Sequence, residues 1–114
     1  MEFVFAYITT KDNAQALSIG KALVQERLAA CINVLDPMTS VYWWEGKLTE
    51  NRETVLVAKA IKENFPALVE RVKQLHSYEC PCVVALPITD GSREYLQWIE
   101  QESRGGTFPP PPVP

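Results

Sequence analysis

The stretch from His76 to Cys82, which reads HSYECPC, concentrates the side chains of this chain that could bind a soft metal ion. It contains the only histidine, the acidic residue Glu79 and two of the three cysteines, Cys80 and Cys82. Two thiolates and a neutral imidazole suit Cu(I) or Zn(II) better than Mg²⁺ or Ca²⁺. The C-x-C spacing is not the C-x₂-C of structural zinc sites, so the pattern indicates a metal site only weakly.

Each of these residues also has a purely structural interpretation. His76 follows a predicted helix, where its ring could bond the last carbonyl groups and where the helix dipole favours its protonated form. On a strand, Cys80 and Cys82 would face the same side about 7 Å apart, too far for an unstrained disulfide. We therefore expect both cysteines to be small buried residues at a strand start, with Cys31 also in the core. His76 remains the one candidate metal ligand.

Composition and charge narrow the class of protein. The chain has 114 residues, enough for one domain, with 46% hydrophobic and 22% charged residues and a net charge of −3. No cluster of Lys or Arg could follow a phosphate backbone, and no apolar run approaches the ~20 residues that span a bilayer. The start, MEFVFAYITTKD, lacks the positive n-region of a signal peptide, and three cysteines do not form a closed disulfide framework. We expect a cytoplasmic protein that binds neither nucleic acid nor membrane.

The hydrophobic periodicity predicts the elements that position these residues. Their order is β-α-β-β-α-β followed by a third helix, which is the α+β, ferredoxin-like arrangement with a split βαβ unit. Asp12 and Gln15 form a capping-box pattern that begins the first helix, expected to end near Ala29. The predicted strands are 3–9, 31–50, 53–61 and 82–88, and the later helices cover 64–76 and the region of Tyr95, Leu96 and Ile99. We expect a single domain over residues 1–104 and a Gly/Pro-rich tail over 105–114.

The two central strands form a predicted hairpin that is unusually long. Residues 31–50 exceed the five or six residues of a common strand, with Asp36-Pro37 as an interruption, Gly46 as a candidate bulge and residues 50–52 as the turn. Val41, Tyr42, Trp43 and Trp44 would promote aggregation on a free edge. We therefore expect the hairpin to pair with a second copy of the chain, the alternative being that the tryptophans lie beneath this chain's own helices.

Four stretches resemble the CutA family, whose members are called divalent-cation tolerance proteins. They are TTKDNAQALSIGKALVQERLAACINVL, SVYWWEGKLTENRETVLVAKA, ERVKQLHSYECP and VALPITDGSREYLQWI, and the resemblance extends over residues 4–100. It implies a ferredoxin-like fold and a homotrimer in which the hairpins of neighbours complete each other's sheets. It also implies an architecture similar to the PII signalling proteins, which are trimers with ligand clefts between subunits.

The resemblance further implies a role in tolerance to copper and other divalent ions, as in bacterial members, whereas animal members are associated with assembly of a membrane-anchored esterase. Copper ligands assigned in bacterial members are a cysteine near the end of the first strand and two adjacent histidines that end the second helix. Here Ile8 or a neighbour stands at the first position and Leu75-His76 at the second, so only His76 matches. The resemblance therefore implies a copper-responsive homotrimer with His76 as its metal ligand.

No group of residues carries a catalytic signature, so we expect a protein that is not an enzyme. Two further hypotheses remain open beside metal binding. An intersubunit cleft could bind a small molecule, with Glu53, Lys59, Glu79 and Asp90 as its charged lining. Alternatively, the trimer itself could be the working surface of a structural or assembly protein.

Overall fold

A computed structural model describes residues 1–104 and confirms the predicted order of elements. The strands are β1 (Phe3–Thr10), β2 (Cys31–Trp44), β3 (Lys47–Ile61) and β4 (Val83–Ile88), and the helices are α1 (Asn13–Gln25), α2 (Phe65–Leu75) and α3 (Arg93–Ser103). A short 3-10 turn, Lys62–Asn64, leads into α2. The strands form one antiparallel sheet in the order β2-β3-β1-β4. The Gly/Pro-rich tail, residues 105–114, lies outside the described residues.

One face of the sheet carries the main core. Alternate residues of β1 point toward α1 and α2, as the two-residue period of a strand requires. The fully buried side chains of this layer include Ile8 and Leu56 from the sheet, Ile19 and Leu23 from α1, and Leu68 from α2. This face therefore fixes the positions of both helices relative to the strands.

Helix α1 begins as predicted but ends earlier. The Asp12 carboxylate accepts the Gln15 N–H at 2.8 Å, and the Gln15 side chain accepts the Lys11 N–H at 2.9 Å. The helix stops at Gln25 rather than near Ala29, because Arg27 adopts a left-handed φ of 64°. The sequence carries no glycine at this position to signal the end.

The hairpin turn is not where the sequence predicted it. The turn lies at Glu45 and Gly46, which have φ values of 50° and 76°, so residues 50–52 belong to β3 and Gly46 is not a bulge. Two consecutive positive φ angles match a two-residue hairpin turn. The only irregularity between β2 and β3 lies between Leu35 and Met38, at the predicted Asp36-Pro37 interruption.

The second face of the sheet is covered only in part. Helix α3 packs there through Ile99, beside Ile61 and Phe3. Farther along, β3 pairs with β1 only from Thr54 onward, so the distal hairpin, residues 38–53, forms a two-stranded ribbon. The described part of the molecule measures 52 × 25 × 23 Å, and this ribbon accounts for its elongated shape.

Candidate functional site

A cavity of about 910 Å³ lies where the open sheet face meets the distal hairpin and the loop that precedes β4. Tyr7 and Thr9 of β1 form its floor, since they point away from the helix side of the sheet. The hairpin contributes Tyr42 and Trp44, and the loop over residues 77–82 supplies another wall. The sulfur-rich corner singled out by the sequence therefore borders a cleft.

His76 is the C-cap of α2 and holds this loop in place. Its Nε2 lies 2.7 Å from the carbonyl oxygen of Thr9, and the backbone N–H of Tyr78 donates to its Nδ1 at 3.1 Å. Because a carbonyl only accepts, the hydrogen belongs on Nε2, and Nδ1 is the acceptor of a neutral ring. Both ring nitrogens thus bond the backbone of other elements, rather than the last helix carbonyls.

This arrangement constrains the predicted metal-ligand role of His76. A metal ion needs the lone pair of a ring nitrogen, and the one on Nδ1 accepts the Tyr78 N–H. The imidazole could bind an ion only after that hydrogen bond opens. Within residues 1–104, no three or more His, Cys, Asp and Glu side chains come together as a metal-binding group. The assignment of His76 as a ligand stays a prediction.

Tyr78 connects the loop to a buried carboxylate that the sequence analysis did not place beside it. The Tyr78 hydroxyl donates to Oε2 of Glu53 at 2.8 Å, and Glu53 is only 6% exposed. Burial raises the pKa of the Tyr78 phenol, and the hydrogen bond to Glu53 raises it further. The phenol therefore stays protonated and remains the donor to this carboxylate at ordinary pH.

The cysteines of the loop are not the buried residues that we expected. Cys80 and Cys82 are both exposed free thiols that line the cavity, because β4 begins at Val83 and leaves them in the loop. Although Cys82 as a whole is exposed, partial desolvation of its thiol in the cavity raises the pKa of Cys82, and the charge of Glu53 raises it further. Cys31 opens β2 as predicted, yet it is half-buried rather than a full core residue.

The four charged residues proposed for a cleft separate into two groups within one chain. Glu53 and Glu79 line the cavity, whereas Lys59 and Asp90 do not. The Lys59 ammonium donates to the hydroxyl of Tyr95 at 3.2 Å, under α3. The sequence did not indicate a role for Tyr78. The residue type of a tyrosine in a loop does not show that its hydroxyl will donate to a carboxylate 25 residues away.

The bonds of His76 predict a measurable structural role. His76→Ala should lower the free energy of unfolding by about 2 kcal/mol, since two hydrogen bonds of roughly 1 kcal/mol each are lost. Glu79→Ala is the matched control, because Glu79 is an exposed residue of the same loop. Urea denaturation at one fixed protein concentration measures both. Equal stability of the two variants would contradict the role of His76 in holding the loop.

The antiparallel sheet, its β2-β3-β1-β4 order and the two helices on one face define a ferredoxin-like α+β protein. The family of proteins follows from comparison with known sequences and structures. The family model described as CutA1 divalent ion tolerance protein matches residues 4–102, and the chain belongs to this family.

The similarity to relatives, in sequence and in structure, extends over most of the chain. The divalent-cation tolerance protein CutA of Thermus thermophilus is 48% identical over 96 residues, which are 84% of this chain and 93% of that protein. A solved CutA structure from Archaeoglobus fulgidus, described as periplasmic, superposes with a TM-score of 0.86 at 39% identity, covering 89% of this chain and 98% of that one. The Thermus thermophilus structure gives a TM-score of 0.83 at 49% identity, covering 87% and 95%. The resemblance recognised in the sequence is confirmed.

Proposed function

We propose that this protein is a non-enzymatic homotrimer of the cytoplasm that takes part in the response to divalent metal ions, copper among them. The distal hairpin is the observation that supports the proposed trimer. Its residues 38–53 pair with no third strand of the described chain, and it exposes Val41, Trp43 and Leu48 by 60%, 71% and 64%. A free ribbon with such side chains is an aggregation hazard unless another chain covers it.

A second apolar surface supports the same proposal. Val84 and Leu86 of β4 are each 49% exposed, and they lie opposite Tyr7 and Phe5 on the sheet face that α3 leaves open. Both outer strands, β2 and β4, also have an unpaired edge within residues 1–104. The ribbon reaches beyond its own sheet, and one face of that sheet is open. These two features favour an oligomer of identical chains with cyclic symmetry. In the proposed trimer each hairpin extends the sheet of its neighbour.

The proposed response to metal ions follows from the family and from the loop over residues 77–82. Cys80 and Cys82 are exposed thiols two positions apart, and thiolates favour soft ions such as Cu(I). His76 joins them as a ligand when the hydrogen bond from the Tyr78 N–H opens. Because thiol protons must leave before a metal binds, the raised pKa of Cys82 makes the affinity increase with pH.

Calorimetry with Cu(I), Cu(II) and Zn(II) on the reduced full-length protein tests this role. We expect binding of Cu(I), its loss when Cys80 and Cys82 are both replaced by serine, and affinity lowered by roughly 10–100-fold in His76→Ala. Cys31→Ser is the matched control, since Cys31 lies in β2 away from the cavity. Unchanged affinity in His76→Ala would remove this residue from the site. A wild-type protein that binds none of these ions would contradict direct metal binding.

A second candidate function is a small-molecule cleft, as in PII-like trimers, and the cavity favours it. Its volume of about 910 Å³ falls in the range of roughly 300–1,000 Å³ typical of ligand sites. The cavity lies beside the ribbon that the proposed trimer places against a neighbour. It would therefore lie at the boundary between subunits.

The proposed cytoplasmic location rests on the three free cysteines, which suit a reducing compartment. Within residues 1–104, none of the helices has the length and apolar character needed to span a membrane. The Archaeoglobus fulgidus relative is described as periplasmic, so cell fractionation is the direct test of location.

A further inference from the structure

We propose that the 910 Å³ cavity binds a small organic cation of the ammonium class, with the Glu53 carboxylate as its counter-ion and aromatic side chains as its walls. The inference rests on the small-molecule cleft proposed above and specifies the chemistry of its ligand. It does not depend on metal binding at His76 or the cysteines.

The first support is the unbalanced charge of Glu53. The residue is 6% exposed, and the Tyr78 hydroxyl at 2.8 Å from Oε2 is its only side-chain hydrogen-bond partner within residues 1–104. No Lys, Arg or His side chain of this region lies within ion-pairing distance of the carboxylate. Lys11 and Arg52 line a smaller cavity that Glu53 also borders, yet neither pairs with it. Buried charges are normally paired, so this carboxylate is a favourable partner for a cationic ligand.

The second support is the negative charge of the side chains that line the cavity. Glu45 and Glu79 join Glu53 in its lining, whereas no lysine, arginine or histidine of residues 1–104 does. The low dielectric of a cleft strengthens the electric field of side chains that all carry the same charge. Ions of the opposite charge are therefore concentrated in the cleft. An anionic ligand would therefore meet only repulsion from the charged groups of this chain.

The third support is the aromatic lining, which distinguishes an organic cation from a metal ion. Tyr7, Tyr42, Trp44 and Tyr78 all border the cavity. Aromatic ring faces attract ammonium groups, and such cages recognise alkylated nitrogen in particular.

Choline and its neutral carbon isostere, 3,3-dimethyl-1-butanol, form the decisive pair of probes. Both have the same shape, and only choline carries the charge. Titration of the full-length protein in its native oligomeric state, followed by calorimetry and tryptophan fluorescence, should show choline binding at least about tenfold more tightly. Equal affinity for the two probes, or no binding of choline at millimolar concentrations, would overturn the proposal.

Two pairs of variants locate the site. Glu53→Gln preserves the size of the side chain and an acceptor for Tyr78, and it should weaken choline binding about tenfold or more. Glu50→Gln is the control, because Glu50 is exposed on the same strand and does not line the cavity. Trp44→Leu should also weaken binding, whereas Trp98→Leu should not, since Trp98 lies on α3 and does not line the cavity. Unchanged affinity in both Glu53→Gln and Trp44→Leu would contradict the assignment.

A citrate titration separates failure of this inference from failure of the cleft. Citrate binding at the Trp44 side, with none for choline, would preserve a small-molecule cleft and overturn its assignment to a cation. If neither of these ions binds, and the neutral 3,3-dimethyl-1-butanol does not bind either, both the cleft and the inference fail.

Discussion

Replacing Trp43 by glutamate should reduce the mass of the protein in solution from three chains toward one. Trp43 is 71% exposed, and its register partner across the hairpin, Leu48, is 64% exposed. In the proposed trimer a neighbouring chain covers this pair. A carboxylate buried there would weaken association by about 3 kcal/mol, which is more than a hundredfold in the equilibrium constant. The domain itself should still fold, because Trp43 is not part of either buried cluster.

Sedimentation velocity over a dilution series measures this change, and circular dichroism verifies the fold of the variant. Lys21→Glu is the control, since it introduces the same acidic side chain at an exposed site on α1, far along the chain from the hairpin. We expect Lys21→Glu to sediment as the wild type does. If Trp43→Glu keeps the wild-type mass at every concentration, the outer face of the hairpin is not a contact between chains.

Replacing Gly20 by leucine should cost about 3 kcal/mol or more of folding free energy. A Cβ atom added at this buried position would lie 2.8 Å from Cδ1 and 2.9 Å from Cγ1 of Ile32, and 3.0 Å from Cδ1 of Leu56. The larger leucine side chain would push α1 away from the sheet, and overpacking of this kind typically costs ~1–3 kcal/mol even for smaller additions. The expected result is a lower urea midpoint with an unchanged slope.

Two further variants isolate the steric cause. Gly20→Ala should be close to neutral, because a gain of about 1 kcal/mol in helix propensity opposes a contact with the flexible end of Ile32. Ser18→Leu places the same side chain on the exposed face of α1 and should change stability by less than about 0.5 kcal/mol. A Gly20→Leu protein as stable as the wild type would show that α1 does not lie this close to the sheet.

The order of elements was predictable because it depends on periodicity summed over many residues. Strand β1 alternates between buried and half-buried positions, and the Asp12–Gln15 cap begins α1 where the sequence placed it. The ends of elements depend on single backbone angles, and these were harder to predict. Arg27 ends α1 with a positive φ angle, which its residue type does not indicate. Glu45 likewise adopts a positive φ angle in the hairpin turn, beside Gly46.

The sequence indicated where the candidate site lies, but not which residues contact each other there. The stretch from His76 to Cys82 does border a cleft, but the partners of its residues come from β1 and β3, and sequence spacing cannot indicate such contacts. The thiols are exposed because β4 begins one residue after Cys82, a boundary that no residue type marks. Glu53 stood out only as one acid among several. Its importance comes from burial without a cationic partner, which only the three-dimensional structure reveals.

The proposed oligomer links these observations. It gives the distal hairpin a partner, covers the apolar residues of β4, and places the cavity between chains. Membership in the CutA1 family establishes a divalent-ion tolerance protein at the level of the family. The identity of the ion and of any small ligand then depends on the titrations described above, which test the thiols for the metal ion and Glu53 for the organic cation.

Sedimentation equilibrium of the wild-type protein under reducing conditions determines whether three chains associate through the distal hairpin. We expect one species of three times 12.9 kDa that persists on dilution. A single species of 12.9 kDa, folded and soluble at all concentrations, would contradict it, because the exposed hairpin would then be stable without a second chain.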